Sequence, residues 1–570
     1  MTRSRRKKRK SGVGFKLILF VVFAVLAAFA FSGRMMDQPF GKTEYKNLLE
    51  WFELSPGEVK VYLDFEPDQE MVGKASDGTV YLPYDYVLET LNQRFFWSSQ
   101  DRMLSFTLPD ETVDYHADDR IGGAPVFKEF GDELYLSLDV VESYTNLTDY
   151  RFVSEDIEAK RVFLYTGGSE ILKTDAVRKT AVRTKCDKKA PVLTELKKGD
   201  TVFVSERDDD WSRVATMDGL SGYVKTKALD KPTLLVIPDS YTEPTVNHTL
   251  LDEKVVMGWH GVYNQAGNSS FRESVGNTGG ALNVISPTWI QISDAAGHYE
   301  NYTDAGYIEE AHAKGLKVWV CVDNFNQPGG LKDFSTKEYF GSAEGRRDFI
   351  SRLMADAAKY GYDGFNLDFE GLPTEAGACY VQFIRELSIE CRKKGIVLSV
   401  DNYVPYGFND FYNISEQGVF ADYVVVMLYD EHTDSAGSVA SIDYTDFGIT
   451  ETGTKVAADR IIAGLPLYTR LWTVTDEGVK SSTYGMRKAA NYAAEKGIQL
   501  KWDEAIGQYY GELQSEEETQ MIWMEDAESL ALKMKLVEQN QLGGIALWRL
   551  GYEPAEIWDE LDYAGRKNGN

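Results

Sequence analysis

The sequence DGFNLDFE, at residues 363–370, alternates polar and apolar side chains in the manner of a β-strand. Successive side chains of a strand point to opposite faces, so Asn366, Asp368 and Glu370 share one face while the phenylalanine and leucine side chains share the other. Two carboxylates about 6 to 7 Å apart on one strand repel each other, and burial disfavours their charged forms further. We therefore expect one of them to keep a proton near neutral pH and to serve as a general acid. A solvated, acidic strand end is the alternative, and the apolar opposite face argues against it.

This strand is the fourth of eight apolar runs that are separated by helical stretches. The runs lie at residues 255–259, 283–285, 318–322, 364–369, 396–400, 423–428, 461–465 and 544–548. Near-continuous apolar strands that alternate with helices favour parallel βα units, and eight such units favour a (β/α)8 TIM barrel. We therefore predict an α/β chain whose catalytic barrel spans 253–565, with a small insertion at 473–525. The polar strand ends would then point into the mouth of the barrel.

Residues 363–370 resemble the DxxDxDxE signature of glycoside hydrolase family 18, the chitinase-like barrels. Asp363, Asp368 and Glu370 occupy its first, third and fourth acidic positions, whereas Asn366 replaces the second aspartate. Three further stretches match motifs of the family in the same order, namely MLYD at 427–430, GLPLYTR at 464–470 and GGIALW at 543–548. With asparagine at position 366, the sequence resembles the subgroup of bacterial spore-cortex and cell-wall N-acetylglucosaminidases.

The resemblance implies substrate-assisted catalysis with retention of configuration, in which the 2-acetamido oxygen of the sugar attacks C1 in place of an enzyme nucleophile. Glu370 would act first as the acid and then as the base, Asp368 would orient the acetamide, and Tyr429 would bind its carbonyl oxygen. We expect substrate contacts from Asn366, Asp430, Trp548, Arg470 and Trp259, and motif positions at Asp363, Gly364 and Met427. As alternatives, Trp548 could fill the barrel core and Tyr429 could be a hydrogen-bonded buried phenol.

The asparagine at position 366 bears on the ionisation of Asp368. In the family, the aspartate at this position helps to share a proton with the third acid, whereas Asn366 can offer only a hydrogen bond. Without a neighbouring carboxylate, Asp368 is expected to ionise more easily than in relatives that carry aspartate there. Asp368 would then be a fixed anion that orients the acetamide and offsets the charge of the oxazolinium intermediate.

The start of the chain differs in charge from the rest. Residues 1–33 carry eight basic side chains and no acidic one, so the formal net charge of −28 becomes −36 for the remainder. Such an acidic body excludes nucleic acid as a partner, because binding to phosphates requires positive charge. Lys16 is the only charged residue in the stretch 13–33, which is long enough for a membrane helix. The basic residues before this stretch place the remainder outside the cytoplasm. A cleaved signal peptide, with an A-x-A site at 28–30, is the alternative to this single-pass anchor.

Two modules are predicted between the anchor and the barrel, after a linker at 34–57 with one short helix. The sequences YLPYDYV at 81–87 and YLSLDVV at 135–141 form an internal repeat. The surrounding segment, 58–168, resembles the N-terminal domain of copper amine oxidases and many bacterial surface proteins, which implies a stalk without copper chemistry.

The second module, at 175–230, resembles a bacterial SH3 domain through its Gly199-Asp200, Trp211 and Gly222-Tyr223-Val224 landmarks. The resemblance implies contact with cell-wall peptide or polysaccharide. Trp211 and Tyr223 could equally well fill the small core of this module.

The sequence contains no metal-binding or disulfide pattern. Its six histidines show no HxH or HxxxH spacing and its four cysteines form no CxxC, so we predict no cofactor, no metal and no disulfide framework. The motifs together predict a membrane-anchored, extracytoplasmic glycosidase that cleaves β-1,4 linkages of N-acetylglucosamine polymers, with peptidoglycan as the expected substrate. A chitinase and a non-hydrolytic, lectin-like wall protein are the alternatives, and the presence of Glu370 favours an enzyme.

Overall fold

The computed structural model describes residues 44–64, 70–153, 159–324, 334–561 and 563. They belong to two compact units, of which one comprises 1–93 and 118–243 and the other 94–117 and 244–570. The predicted membrane anchor at 13–33 lies outside the described residues. Within the described ranges, no helix is both long and apolar enough to cross a bilayer.

The first unit contains a mixed seven-stranded sheet with strands Glu58–Leu63, Glu70–Ser76, Thr79–Pro83, Phe127–Phe130, Glu133–Ser137, Leu147–Phe152 and Lys160–Thr166. The internal repeat forms two of these strands, which pair antiparallel with Leu82 opposite Leu136. Each is followed by a helix, at Tyr84–Tyr86 and Leu138–Tyr144. The smaller elements are the helix Leu48–Phe52, the π-helical turn Val87–Leu91 and the strand pair Arg120–Ile121 and Ala124–Pro125.

The second sheet of this unit has strands Glu170–Asp175, Thr180–Arg183, Val192–Leu196, Thr201–Arg207, Trp211–Thr216, Ser221–Lys225 and Thr233–Val236. Neighbouring strands are antiparallel, and their inward valines are fully buried at Val182, Val202, Val214 and Val224. Gly199 and Gly219 have φ values of 92° and 79° at turns between strands, a conformation that favours glycine. Trp211 is buried, as its core-filling interpretation requires, whereas Tyr223 is half-exposed.

The second unit is built around a closed barrel of eight parallel strands. In chain order they are β1 Val255–His260, β2 Val284–Pro287, β3 Lys317–Asp323, β4 Gly364–Asp368, β5 Val397–Tyr403, β6 Tyr423–Met427, β7 Ile461–Pro466 and β8 Gly544–Trp548. Each strand pairs with the next, and β1 pairs with both β2 and β8, which closes the barrel. All eight predicted strands are confirmed, with ends that differ by a few residues.

Helices connect the strands on the outside of the barrel. They are α1 Phe271–Gly276, α2 Ala305–Ala313, α3 Thr336–Gly341, α4 Ala343–Tyr360, α5 Gly377–Lys394, α6 Ile414–Phe420, α7 Ile442–Gly453, α8 Met486–Lys496 and α9 Ala527–Gln539. Phe365, Leu367 and Phe369 belong to the apolar layer between β4 and these helices. The intervening residues of β4 therefore face the barrel interior, as the alternation in the sequence predicts.

An insertion lies between β7 and α9, where the sequence predicts one at 473–525. It consists of α8 and a five-stranded antiparallel sheet with strands Tyr468–Thr475, Gly478–Gly485, Lys501–Asp503, Gln508–Gln514 and Thr519–Met524. Leu471, Ala489 and Ile522 form the core between the sheet and α8. The insertion therefore follows the C-terminal end of β7, and in such folds the C-terminal ends of the strands carry the active site.

Residues 94–117 pack in the barrel unit and not with the remainder of the predicted 58–168 module. They form a three-stranded sheet of Phe95–Ser98, Met103–Thr107 and Thr112–Tyr115. Gln382 on α5 donates a hydrogen bond of 3.0 Å to Thr107, and Arg347 on α4 pairs with Asp114. Contacts between residues this distant in sequence cannot be predicted from local patterns.

Candidate active site

The chain leaves β4 after Asp368 and then presents Glu370 at the C-terminal end of the barrel. Asn324, which follows β3, fixes the Glu370 backbone through two hydrogen bonds. The Glu370 N–H donates to Asn324 Oδ1 at 2.9 Å, and Asn324 Nδ2 donates to the Glu370 carbonyl at 2.9 Å. The acidic side chain is therefore held at the barrel mouth by a neighbouring strand end.

Among the residues that the structure describes, the Glu370 carboxyl forms a side-chain hydrogen bond with Tyr403 at the end of β5. Tyr403 Oη donates to Glu370 Oε2 at 2.8 Å and accepts a hydrogen bond of 3.1 Å from the Gly371 N–H. Burial raises the pKa of Glu370, the hydrogen bond from Tyr403 opposes this rise, and the charge of Asp430 adds to it. A raised pKa keeps the proton on the carboxyl at higher pH, which is the requirement for a general acid.

Asp368 lies deeper, with 7% of its surface exposed. Burial raises its pKa well above the usual range, and the negative charges of Glu370, Asp401 and Asp323 raise the pKa further. Asp323 is directly opposite Asp368 in the ladder between β3 and β4. The raised pKa contradicts the expectation that Asp368 is a fixed anion, whereas easier ionisation than in relatives with aspartate at position 366 stays a prediction. The expectation considered only neighbours on the same strand, but β3 and β5 each bring an aspartate close to Asp368.

Asn366 does not hydrogen-bond to Asp368. Its Nδ2 donates to Asp401 Oδ1 at 2.7 Å and to Ser399 Oγ at 3.0 Å, both on β5. Its Oδ1 accepts from Trp259 Nε1 at 2.8 Å and from Ser286 Oγ at 3.2 Å. With 0% of its surface exposed and both amide atoms engaged, Asn366 supports the carboxylates and does not line a substrate cleft.

Trp259 was expected to contact the substrate, but like Asn366 it is buried inside the barrel. Only 1% of its surface is exposed, and its indole N–H is used by Asn366. Its ring lies 5.7 Å from that of Trp548, edge to face, so it supports Trp548 from within the barrel. Trp548 itself ends β8, is partly exposed and packs against the core cluster inside the barrel, so both of its interpretations stay open.

The MLYD motif ends β6 and places two side chains at the mouth. Asp430 Oδ1 accepts hydrogen bonds from Tyr468 Oη at 2.6 Å and from Arg470 Nη2 at 2.7 Å. Tyr429 is half-buried, with its ring 6.2 Å from that of Tyr468, while Met427 is buried at the end of β6. The motifs after β6 and β7 therefore meet in space, as their order along the barrel predicts.

Asp363 and Gly364 lie at the opposite end of β4 from the acids. Asp363 accepts hydrogen bonds from the Val318 N–H, Lys317 Nζ and His312 Nε2 at 2.7 to 2.9 Å, which join the starts of β3 and β4. A Cβ on Gly364 would lie 2.5 Å from the Trp319 indole, so only glycine fits against that ring. Both motif positions therefore support the barrel and take no part in its chemistry.

Several residues of the site were missed by the sequence analysis. They are Asp323, Asn324, Asp401, Tyr403 and Tyr468. The first four stand at the ends of β3 and β5, where polar residues follow apolar runs in VCVDN and LSVDNY. In a parallel barrel every strand contributes its C-terminal end to one site, so the same inspection of each strand end would have found them.

Comparisons with known proteins cover both units. Residues 264–553 match Glycosyl hydrolases family 18, and residues 178–230 match Bacterial SH3 domain. The chain is 26% identical over 263 residues to the uncharacterized glycosylase YvbX of Bacillus subtilis (strain 168), which covers 44% of this chain and 76% of that protein. It is 24% identical over 229 residues to the cortical fragment-lytic enzyme of the same strain, which covers 37% of this chain and 52% of that protein.

A solved structure shares the fold. The Bacillus cereus spore cortex-lytic enzyme SleL aligns with a TM-score of 0.50 at 18% identity, over 59% of this chain and 78% of that chain. At this identity the likeness concerns the fold alone.

Proposed function

Because this chain belongs to glycosyl hydrolases family 18, we propose that it cleaves β-1,4 linkages next to N-acetylglucosamine in bacterial peptidoglycan. The observation that carries the proposal is the pair of acids at the end of β4. Glu370 is half-buried at the mouth with a raised pKa, and Asp368 lies behind it among further carboxylates. This arrangement offers a proton at the surface of the site and negative charge beneath it.

In the proposed reaction the Glu370 proton passes to the glycosidic oxygen as the bond to C1 breaks. The 2-acetamido oxygen of the same sugar forms a bond to C1, which gives a cyclic oxazolinium ion and retains the configuration after hydrolysis. Asp368 accepts a hydrogen bond from the acetamide N–H, and its negative charge offsets the positive charge of the oxazolinium ion. Glu370 then takes a proton from the water that attacks C1, which returns the enzyme to its starting state.

Two observations support peptidoglycan over chitin. The chain contains a bacterial SH3 domain, and we propose that this domain contacts the cell wall. The B. subtilis relative described above is named for lysis of cortical fragments. The lectin-like alternative is disfavoured, because the acid is present and Asn324 and Tyr403 hold it at the barrel mouth.

Digestion of purified peptidoglycan tests this function. We expect mass spectrometry of the products to show fragments whose new reducing end is N-acetylglucosamine, with material from vegetative walls and from muramic-lactam-containing cortex compared side by side. The Glu370→Gln variant is the control, and it should release these fragments far more slowly than the wild type. If products are released from chitin oligomers while the peptidoglycan stays intact, the chain fits the chitinase alternative. Binding of a polysaccharide without any product would assign the chain to the lectin alternative.

We propose further that residues 13–33 hold the enzyme in the membrane, with the barrel outside the cytoplasm and the segments 58–93 and 118–168 as a spacer. The support is the apolar run at 17–31, which follows eight basic residues. Fractionation of cells that express the full chain should place it in the membrane, and a variant without residues 1–33 should be soluble. A mature chain that begins near residue 31 and is found in the medium would contradict the anchor in favour of a cleaved signal.

A further inference from the structure

The site contains a second pair of carboxyl groups that the proposed reaction leaves unexplained. Asp368 and Asp401 are 7% and 2% exposed, and both belong to strands that face the barrel interior. Asp368 Oδ1 and Asp401 Oδ2 are fully buried and accept no hydrogen bond from any residue that the structure describes. It would cost much free energy to keep both buried carboxyl groups charged while these oxygens have no hydrogen-bond donor. One of the two groups therefore needs a proton.

The strand register brings the two groups together. Leu367 is paired with Val400 in the parallel ladder between β4 and β5, so the next positions are Asp368 and Asp401. Neighbouring strands are about 5 Å apart, and both side chains point inward. Asn366 holds the second carboxyl in place, because its Nδ2 donates to Asp401 Oδ1 at 2.7 Å and leaves Oδ2 available.

We propose that Asp368 and Asp401 share one proton between Asp368 Oδ1 and Asp401 Oδ2, so that β5 supplies the carboxylate that Asn366 lacks on β4. The inference rests on the proposed function for its catalytic meaning. Asp401 is a positioning residue, since it acts on the substrate only through Asp368.

The proton has a defined place at each stage. Before the substrate binds, the pair carries one proton and one negative charge. When the acetamide N–H reaches Asp368, the proton resides on Asp401, and Asp368 becomes the carboxylate that accepts the N–H and offsets the oxazolinium charge. When the intermediate is hydrolysed and the product leaves, the shared position is restored. No proton enters or leaves the pair, so its net charge is constant.

Other titratable groups surround the pair. They are Cys321 and Asp323 on β3, Glu370 after β4, Tyr403 on β5, Tyr380 on α5 and Tyr429 after β6. Burial raises the pKa of Asp401 well above its usual range, the hydrogen bond from Asn366 opposes the rise, and the charge of Glu370 adds to it. The pair therefore titrates in two steps that belong to both residues together.

The test compares Asp401→Asn with the double variant Asn366→Asp/Asp401→Asn, which moves the carboxylate back to β4. Sharing a proton stabilises the singly charged pair, so the wild type takes up a second, inactivating proton only at low pH. In Asp401→Asn the lone, buried Asp368 takes up its proton at higher pH. We expect the acidic limb of kcat/KM against pH to move up by about one pH unit, with KM and the basic limb, which reports Glu370, little changed.

The double variant should return the acidic limb towards its wild-type position. Ser399→Ala is the matched control, because it removes another hydrogen bond of Asn366 without a change of charge and should lower kcat without a shift of the limb. An Asp401→Asn profile that is lowered equally at every pH would overturn the proposal and leave Asp401 with a structural role.

A second measurement needs no substrate, so it separates this inference from the proposed function. The folded pair keeps its proton at a pH where the unfolded aspartates have lost theirs, so it stabilises the wild type at low pH and this contribution is lost as the pH rises. Asp401→Asn reduces that loss, because the lone Asp368 releases its proton at a lower pH than the pair releases its shared proton. The difference in Tm between variant and wild type should therefore grow in favour of the variant from pH 4.5 to pH 7.5, and an equal difference at both pH values would contradict proton sharing.

Discussion

The Glu370→Gln variant is expected to lower kcat by about 10²- to 10⁴-fold, the range for loss of a general acid and base. Glutamine keeps the shape of the side chain and can still accept the Tyr403 hydroxyl, but it cannot deliver a proton. Binding of N-acetylglucosamine oligomers should therefore persist. The measurements are kcat on a chromogenic oligomer and calorimetric titration of the full chain with the unlabelled oligomer.

Glu375→Gln is the matched control, since Glu375 is exposed five residues further along the chain and should tolerate the same change. Loss of oligomer binding together with activity in Glu370→Gln would indicate that Glu370 has a structural role, and this account of the site would fail.

The Asp368→Asn variant is expected to lower kcat by about 10²- to 10³-fold, the range for removal of one group that stabilises charge in a transition state. An amide cannot offset the charge of the oxazolinium ion. Because the amide is neutral, the variant also removes a charge that burial disfavours, so its Tm at neutral pH should not fall.

Asp363→Asn provides the comparison for Asp368→Asn, because it makes the same change on the same strand at the far end of the barrel. It weakens contacts with Lys317 and His312, so its Tm should fall while kcat stays close to that of the wild type. An Asp368→Asn enzyme with wild-type kcat would show that Asp368 does not act on the intermediate.

The barrel could be predicted from the sequence because each strand is a short apolar run between helical stretches, and that pattern is local. The acids of β4 could be predicted for the same reason, since Asp368 and Glu370 stand on one strand with a fixed alternation. The motifs after β6 and β7 bring Asp430 and Arg470 into contact, and their binding of substrate stays a prediction. The bacterial SH3 domain was also predicted from local landmarks, and the family match confirms it.

The ionisation of Asp368 could not be predicted in this way. It depends on Asp323 and Asp401, which lie 45 and 33 residues away in the sequence and reach the same level through strand register. The role of Asn366 was also wrong for this reason, because its partners stand on β1, β2 and β5 and not on its own strand. The ionisation of the site therefore depends on which residues are paired between neighbouring strands. The fold could be predicted from the alternation of apolar and polar residues within each strand.

In the proposed reaction the substrate's own acetamide, and no side chain, forms the bond to C1. Proton NMR of an N-acetylglucosamine oligomer during the first turnovers by the wild-type enzyme tests this step, with the configuration at the new reducing end recorded before mutarotation. We expect the β-anomer to form first and an oligomer without the 2-acetamido group at the cleaved sugar not to be hydrolysed. First formation of the α-anomer, or equal hydrolysis of the oligomer without the acetamide, would contradict it.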